Sequence, residues 1–279
     1  PMPPILYSRK KKQVKEAKTM ALLISTNMYE AGELEKVLFY LDRYEGRLGV
    51  ELFPMFHEEG YEGLLQKCLP ELKKVPVSFH GPYYGAEHSA AKDTEEYRRT
   101  MDMTAATLKY GQMLDSRYMV YHHNNCRVQE KDGMIRTACA NYRRVGEMAR
   151  ACGIPVVVEN AGVISRGNML LDEDAFIRVC REEGYQVLID IGHAHANGWN
   201  LPRVMSELQS RIVAYHLHNN DGLHDSHQRL WDGTLDVERF LDKCMELTPE
   251  ADWVLEYSAG TSWDEDGICE DIERLLSIF

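Results

Sequence analysis

The chain has 279 residues, 44% of them hydrophobic and 27% charged, with a formal net charge of −12. That composition fits an ordinary globular domain. No apolar run approaches the roughly 20 residues needed to cross a bilayer, and the acidic balance argues against a general nucleic-acid binder without excluding one. The seven cysteines (68, 126, 139, 152, 180, 244 and 269) are odd in number and form no C-x-x-C pair. This suits reduced thiols in a cytoplasmic protein better than a disulfide frame or a zinc ribbon.

Residues 1–19 are Pro-rich and then basic (Arg9-Lys10-Lys11-Lys12), without an apolar signal core. They read as an extension ahead of the first strand, its flexibility left open, and residues 20–279 as the catalytic domain. Ile24-Ser25-Thr26-Asn27 is the first buried-strand signal. Glu30 to Tyr44 follows, with Leu34, Val37, Leu38 and Leu41 on one helical face. Val50-Glu51-Leu52-Phe53-Pro54 and Val77-Ser78-Phe79-His80 are the next two strands. A Met-rich helix from Thr94 to Leu114 leads to Met119-Val120-Tyr121-His122-His123. Met134 to Cys152 is a helix stopped at Gly153 before Pro155, and Val156-Val157-Val158-Glu159-Asn160 is the fifth strand. Asp172 to Glu183 is helical and ends at Gly184; Val187-Leu188-Ile189-Asp190 and Val213-Ala214-Tyr215-His216 are strands six and seven. A helix from Asp236 to Leu247, the strand Val254-Leu255-Glu256-Tyr257 and a helix from Gly267 to Ile278 close the series.

Eight apolar strands alternating with helices, each strand ending on a polar residue, is the layout of an α/β fold: a single (β/α)8 TIM barrel with its chemistry at the carboxyl ends of the strands. A doubly wound sheet would more often carry a Gly-rich phosphate turn after the first strand, and Ser25-Thr26-Asn27-Met28-Tyr29 has none.

Glu159, Asp190, His216 and Glu256 end strands five to eight. In a closed barrel these ends converge, and three carboxylates with an imidazole suit a divalent ion such as Mn²⁺, Zn²⁺, Mg²⁺ or Co²⁺. The bland alternative is that each acid pairs with a neighbouring side chain. His193, Asp225 and His227 could hold a second ion, with Asp190 near enough to bridge, or could bind substrate hydroxyls directly. His80 and His122 end strands three and four and could complete a third site beside Glu159, so the expectation is one to three ions. His123 replaces His122 if the phase of strand four is shifted. His195, His218 and His224 are surplus, with supporting or loop roles. Phe53, Phe56, Tyr83, Tyr84, Trp199, Trp231 and Tyr257 could wall a sugar-sized pocket or simply pack the rim. Gly260-Thr261-Ser262 lies where barrels often bind phosphate.

The ordered set His80-Gly81-Pro82-Tyr83, Glu159-Asn160, Asp190-Ile191-Gly192-His193, His216-Leu217-His218-Asn219-Asn220-Asp221-Gly222, Asp225-Ser226-His227, Asp232-Gly233-Thr234-Leu235-Asp236 and Leu255-Glu256 resembles the xylose-isomerase-like barrel superfamily. That superfamily contains sugar isomerases, sugar epimerases and endonuclease IV, and the resemblance covers roughly residues 75–258. It implies a metal-dependent isomerase or epimerase acting on a small sugar or sugar phosphate through a metal-stabilised enediolate. Glu159 and Glu256 would then be the acid/base pair and His193 would bind a substrate oxygen; from the residues themselves, His80, Tyr83, Trp199 and Trp231 are expected to contact the substrate. Related enzymes are often oligomers, so a homo-oligomer is in keeping with the resemblance. The runner-up it implies is a trinuclear-zinc phosphodiester hydrolase acting on abasic DNA, for which every ligand position has a candidate here. Against that stand the acidic loop Asn219 to His224, Glu87 and Asp93 in the loop after His80, and the acidic chain as a whole. A barrel that only binds a ligand is a third class.

Overall fold

The strand Leu22–Ser25 (β1) pairs in parallel with Leu48–Leu52 (β2) on one side and with Asp252–Leu255 (β8) on the other, so the sheet closes on itself. Between them run Val77–Phe79 (β3), Met119–Tyr121 (β4), Val156–Glu159 (β5), Gln186–Asp190 (β6) and Ile212–Leu217 (β7), in the barrel order β1 to β8. The fold is therefore a single (β/α)8 barrel. The computed structural model describes residues 19–278; apart from Thr19, the expected extension lies outside them.

Strand side chains alternate between faces with period two, and that alternation aims the chemistry. Leu23, Val120, Val157, Leu188, Ala214 and Val254 point into the barrel and pack there with Tyr118. Leu22, Ile24, Val158, Ile189, Tyr215 and Trp253 point outward into the larger core beneath the helices. Two residues beyond five of the inward positions, on the same face, come His122, Glu159, Asp190, His216 and Glu256. The polar cluster is thus the next layer up from an apolar barrel interior.

The helices are Leu38–Arg43 (α1), Tyr61–Leu72 (α2), Glu95–Met113 (α3), Lys131–Cys152 (α4), Glu173–Glu182 (α5), Ile191–Ala196 (α6), Leu201–Leu208 (α7), Val237–Leu247 (α8) and Glu265–Leu276 (α9). The expected helix from Glu30 is instead a 3₁₀ stretch over Ala31–Val37 that becomes α-helical only at Leu38; Gly32 in its first turn weakens the α form there. Helix α2, which contains Pro70 near its end, and the short α6 and α7 have no counterpart among the expected helices. The latter starts from an Asn200 cap with proline in its first turn.

At the amino end of the barrel, Arg117 grips both oxygens of Asp252 at 2.6 Å each and bonds the Thr19 carbonyl at 2.9 Å, while Asp252 also accepts the Ala21 N–H. This clasp ties the closing strand to the first one, opposite the polar layer. Among the described residues no helix is long and apolar enough to cross a membrane.

Candidate metal centre

Glu51, Glu159, Asp190, Asp225 and Glu256 are all buried at the carboxyl end of the barrel, with His80, His122, His193, His216 and His218 buried among them. Isolated buried carboxylates are strongly disfavoured, so their partners decide what the cluster is.

His216 sits at the middle. Its Nδ1 lies 3.2 Å from Glu256, 3.5 Å from Glu159 and 3.8 Å from Asp190. The opposite ring nitrogen, Nε2, is 2.8 Å from Glu51 Oε1, and Ser78 donates to the other oxygen of Glu51. His122 Nε2 lies 2.8 Å and His80 Nε2 3.7 Å from the same Glu159 oxygen. On the other flank, His193 bridges: Nδ1 is 3.2 Å from Glu159 and Nε2 is 3.4 Å from Asp225. His227 Nε2 is 3.0 Å from Asp225.

The outer nitrogens of four of these rings are fixed by oxygen acceptors. His80 Nδ1 donates to the Gly81 carbonyl at 2.7 Å, His227 Nδ1 to the Glu256 carbonyl at 2.9 Å, His122 Nδ1 to Asn125 Oδ1 at 3.1 Å and His216 Nε2 to Glu51. Each bond settles the tautomer and leaves the inner nitrogen to offer a lone pair, as metal-ligating histidines do. The Nδ1 atoms of His193 and His216 and Oδ1 of Asp225 are buried with no hydrogen-bond partner. Orphaned polar atoms at the focus of several carboxylates are what a cation would satisfy. Among the described residues five donor sets are close enough to fit one: Glu159, Asp190 and His216; His80, His122 and Glu159; His193, His218, Asp225 and His227; Glu51, His216 and Glu256; and Asp190, His218 and Glu256. Glu159 takes part in the first two and contacts the third through His193.

The electrostatics agree. Burial raises the Glu159 carboxyl, but His122 and His216 outweigh it and hold the group well below the usual range. Burial works against charge on His216, yet Glu256, Glu51 and Glu159 hold its pKa well above the ordinary value. His193 is held well up in the same way by Asp190 and Asp225, and His227 reaches about 9, with Asp225 the main attraction against burial. The carboxylates thus stay ionised and demand positive charge, from protons on the imidazoles or from metal ions that replace them.

The centre opens into a cleft of about 460 Å³ walled by Phe53, Tyr83 and Tyr84, with Glu30 and Glu58 also in its lining. Phe53 stacks on the His80 ring at 4.4 Å. Trp199 and Trp231 stand apart from this cleft, against the expectation that they touch substrate. Trp199 packs on Phe176, and Trp231 lies beneath Arg274 and bonds Glu238. Phe56 stacks on Tyr110 and Tyr257 bonds Asp271, both in the surrounding core. His123 faces outward among Tyr121 and Tyr185, as the strand parity requires. The hydroxyls of Thr261 and Ser262 are spent on the carbonyls of His227 and Ala259.

Residues that the sequence does not single out also shape the site. Glu51 is one, though a lone acid between Val50 and Leu52 on the inward face is a readable signal. Arg166, the single arginine or lysine in the cleft lining among the described residues, bonds both the carboxylate and the carbonyl of Asp225; it lies in a turn with no pattern to mark it. Glu87, expected only to make the loop after His80 acidic, is instead buried and turned inward. It accepts the N–H groups of Ser89, Asn125 and Cys126, locking the loop that carries Asn125 against His122.

A closed parallel barrel with a histidine–carboxylate centre at the carboxyl ends of its strands defines the class of protein. Residues 45–278 match the model of the xylose isomerase-like TIM barrel family, and the chain belongs to that family. It is similar to the uncharacterized protein MJ1311 of Methanocaldococcus jannaschii, 24% identical over 203 residues that span 65% of each chain. Among solved structures it resembles a D-tagatose 3-epimerase-like protein (TM-score 0.73, 16% identity, 92% of this chain and 98% of that one). It also resembles the IOLI protein solved with a bound zinc atom (TM-score 0.70, 15% identity, 91% and 96%).

Proposed function

We propose that this chain is a metal-dependent isomerase or epimerase of a small sugar or sugar phosphate, working by proton transfer. The observation that carries the reading is the unpartnered, buried Nδ1 of His216 facing Glu159, Asp190 and Glu256 at the floor of an aromatic-walled cleft. Glu159, Asp190, His216 and Glu256 would hold the ion. A divalent cation there would polarise neighbouring substrate oxygens and stabilise charge that develops on them. Glu256, just beyond β8, and Glu159, at the end of β5, approach His216 Nδ1 from separate strand ends and serve as the two groups that remove and return a carbon-bound proton. His193 and His80 orient substrate oxygens, Tyr83 takes part in the same contact, and Phe53 and Tyr84 cover the apolar face of the sugar. The epimerase-like and zinc-bearing neighbours support this reading, and seven unpaired thiols support a reducing, cytoplasmic setting.

A second reading, a trinuclear phosphodiester hydrolase, is favoured by one observation: the His80–His122–Glu159 and His193–Asp225–His227 groups are complete in donor type. The cleft speaks against a polyanion, because Arg166 is already engaged with Asp225 while Glu30 and Glu58 line the opening. Metal analysis of the purified protein, followed by assays on free ketoses, their phosphates and abasic DNA, tests both. One or two ions per chain with ketose turnover supports the isomerase. Three zincs with cleavage of abasic DNA and no ketose turnover overturns it.

A further inference from the structure

We propose that His218 is a positioning residue for Asp190, one that holds its carboxylate in place at the metal centre, and that Gly192 supplies the space for it. His218 is the first residue beyond β7 and is fully buried. Its Nε2 lies 2.9 Å from both oxygens of Asp190. Oδ1 of Asp190 also accepts the His193 N–H at 2.6 Å, capping α6. Held by these two donors, the carboxylate keeps Oδ2, which His218 also bonds, within 3.8 and 3.6 Å of His216 and His193.

His218 falls close enough to His193, Asp225 and His227, and to Asp190 and Glu256, to pass for a donor in either set, though the nitrogen it turns to Asp190 is already spent on that carboxylate. Ring geometry argues otherwise. His218 and His227 stack with centroids 3.7 Å apart and planes within 15° of parallel. An imidazole coordinates a metal at roughly 2.0–2.1 Å along its ring-plane lone pair. An ion in the plane of one of two stacked rings lies well out of the plane of the other, so a single ion cannot be bound properly by both. His227 has its outer nitrogen fixed on the Glu256 carbonyl, which leaves its inner one, 3.0 Å from Asp225, to offer a lone pair; it is the donor, and His218 is the support behind it.

Room for the His218 ring comes from the turn after β6. A Cβ placed on Gly192 would fall inside the ring, against Cε1, Nδ1 and Nε2. The Gly192 carbonyl is held in turn by Asn220 at 2.8 Å. The Asp190-Ile191-Gly192-His193 run and the His216-Leu217-His218-Asn219-Asn220 run therefore interlock: the first lends a bare backbone, and the second lays a ring on it that reaches back to Asp190.

The inference rests on Asp190 being a metal donor, and the test separates the two. Cobalt(II) is titrated into the metal-free full chain while its visible absorption is followed, for wild type, His218→Leu, His218→Gln and Gly192→Ala, alongside thermal melting without metal. Losing such a supporting hydrogen bond weakens metal binding roughly 10–100-fold. His218→Leu is expected to show that loss with an altered cobalt spectrum and an unchanged number of ions. His218→Gln, which keeps an N–H for Asp190, recovers most of the affinity. Gly192→Ala, which removes no donor, reproduces the defect. Wild-type affinity and spectrum in His218→Leu would overturn the proposal, as would the loss of one ion with no rescue by glutamine, since that would make His218 a ligand. Should His218→Leu fail to melt cooperatively, the Gly192→Ala and His218→Gln pair decides alone. A wild type that binds no cobalt would overturn the donor role of Asp190 and this inference with it.

Discussion

His216 Nε2 lies 2.8 Å from Glu51 Oε1, and neither side chain reaches solvent. Glu51 therefore points the free Nδ1 of His216 at the three carboxylates and adds electron density to the ring. Glu51→Gln keeps an acceptor but removes the charge. It should leave the fold intact and weaken metal binding roughly 10–100-fold, measured by calorimetric titration with zinc. Unchanged affinity would reduce Glu51 to a packing residue.

Glu256 is buried beside both His216 and His227. Glu256→Gln should lower turnover of the proton-transfer substrate by about 10²–10⁴-fold or abolish it, with far-UV circular dichroism unchanged. Near-normal turnover would remove the proposed mechanism.

Glu159 joins His122 and His80 on one side to His216 and His193 on the other. Elemental analysis of single variants should therefore give an asymmetric result. His122→Asn and His227→Asn should each cost at most the ion of their own group. Glu159→Ala should lower the total below either. Equal losses from all three would show that the groups do not share this carboxylate.

Two histidines outside the centre set an acid limit. Burial pushes His88 down to about 3 and His123 to about 4, and neither His88 nitrogen has a hydrogen-bond partner. Both stay neutral in the fold but gain a proton on unfolding once pH drops below the ordinary histidine value near 6.5. The unfolded state then binds more protons, so stability falls as pH falls from about 6.5 toward 3, by up to about 1.4 kcal/mol per pH unit for each ring. His88→Phe should flatten the denaturation-versus-pH curve in that window. An unaltered slope would show that His88 does not titrate as buried.

The barrel was legible because its signals are repeated and local. Runs such as Val156 to Val158 and Val187 to Ile189, short, β-branched and bounded by turn residues, read as walls covered on both faces, and the acid after each marks the same end. Period-two alternation put His122 and His123 on opposite faces, but which of them faces inward depended on the phase of strand four, which the fold supplies. What escaped was fixed by tertiary position. Nothing near Trp199 or Trp231 says that they turn away to Phe176 and Arg274. Arg166 and Glu87 matter only because loops from other strands come to meet them. The short helices α6 and α7 have too few turns to show a period.

Closure of the ring also decides when this protein can hold its ions. Each donor group draws on strands far apart in the chain, so an unfolded or half-made barrel offers metal only scattered neighbours such as His122 with His123. Affinity then belongs to the finished fold alone, and bound metal adds to stability by mass action, about 2.7 kcal/mol at a hundredfold excess over Kd. The supply of ions in the surroundings becomes a factor in how long the molecule lasts. When they are scarce, Glu159, Asp190, Asp225 and Glu256 rely on imidazole protons for counter-charge; when they are plentiful, the same acids, with His80, His122 and His216, fasten the six strands β3 to β8 together.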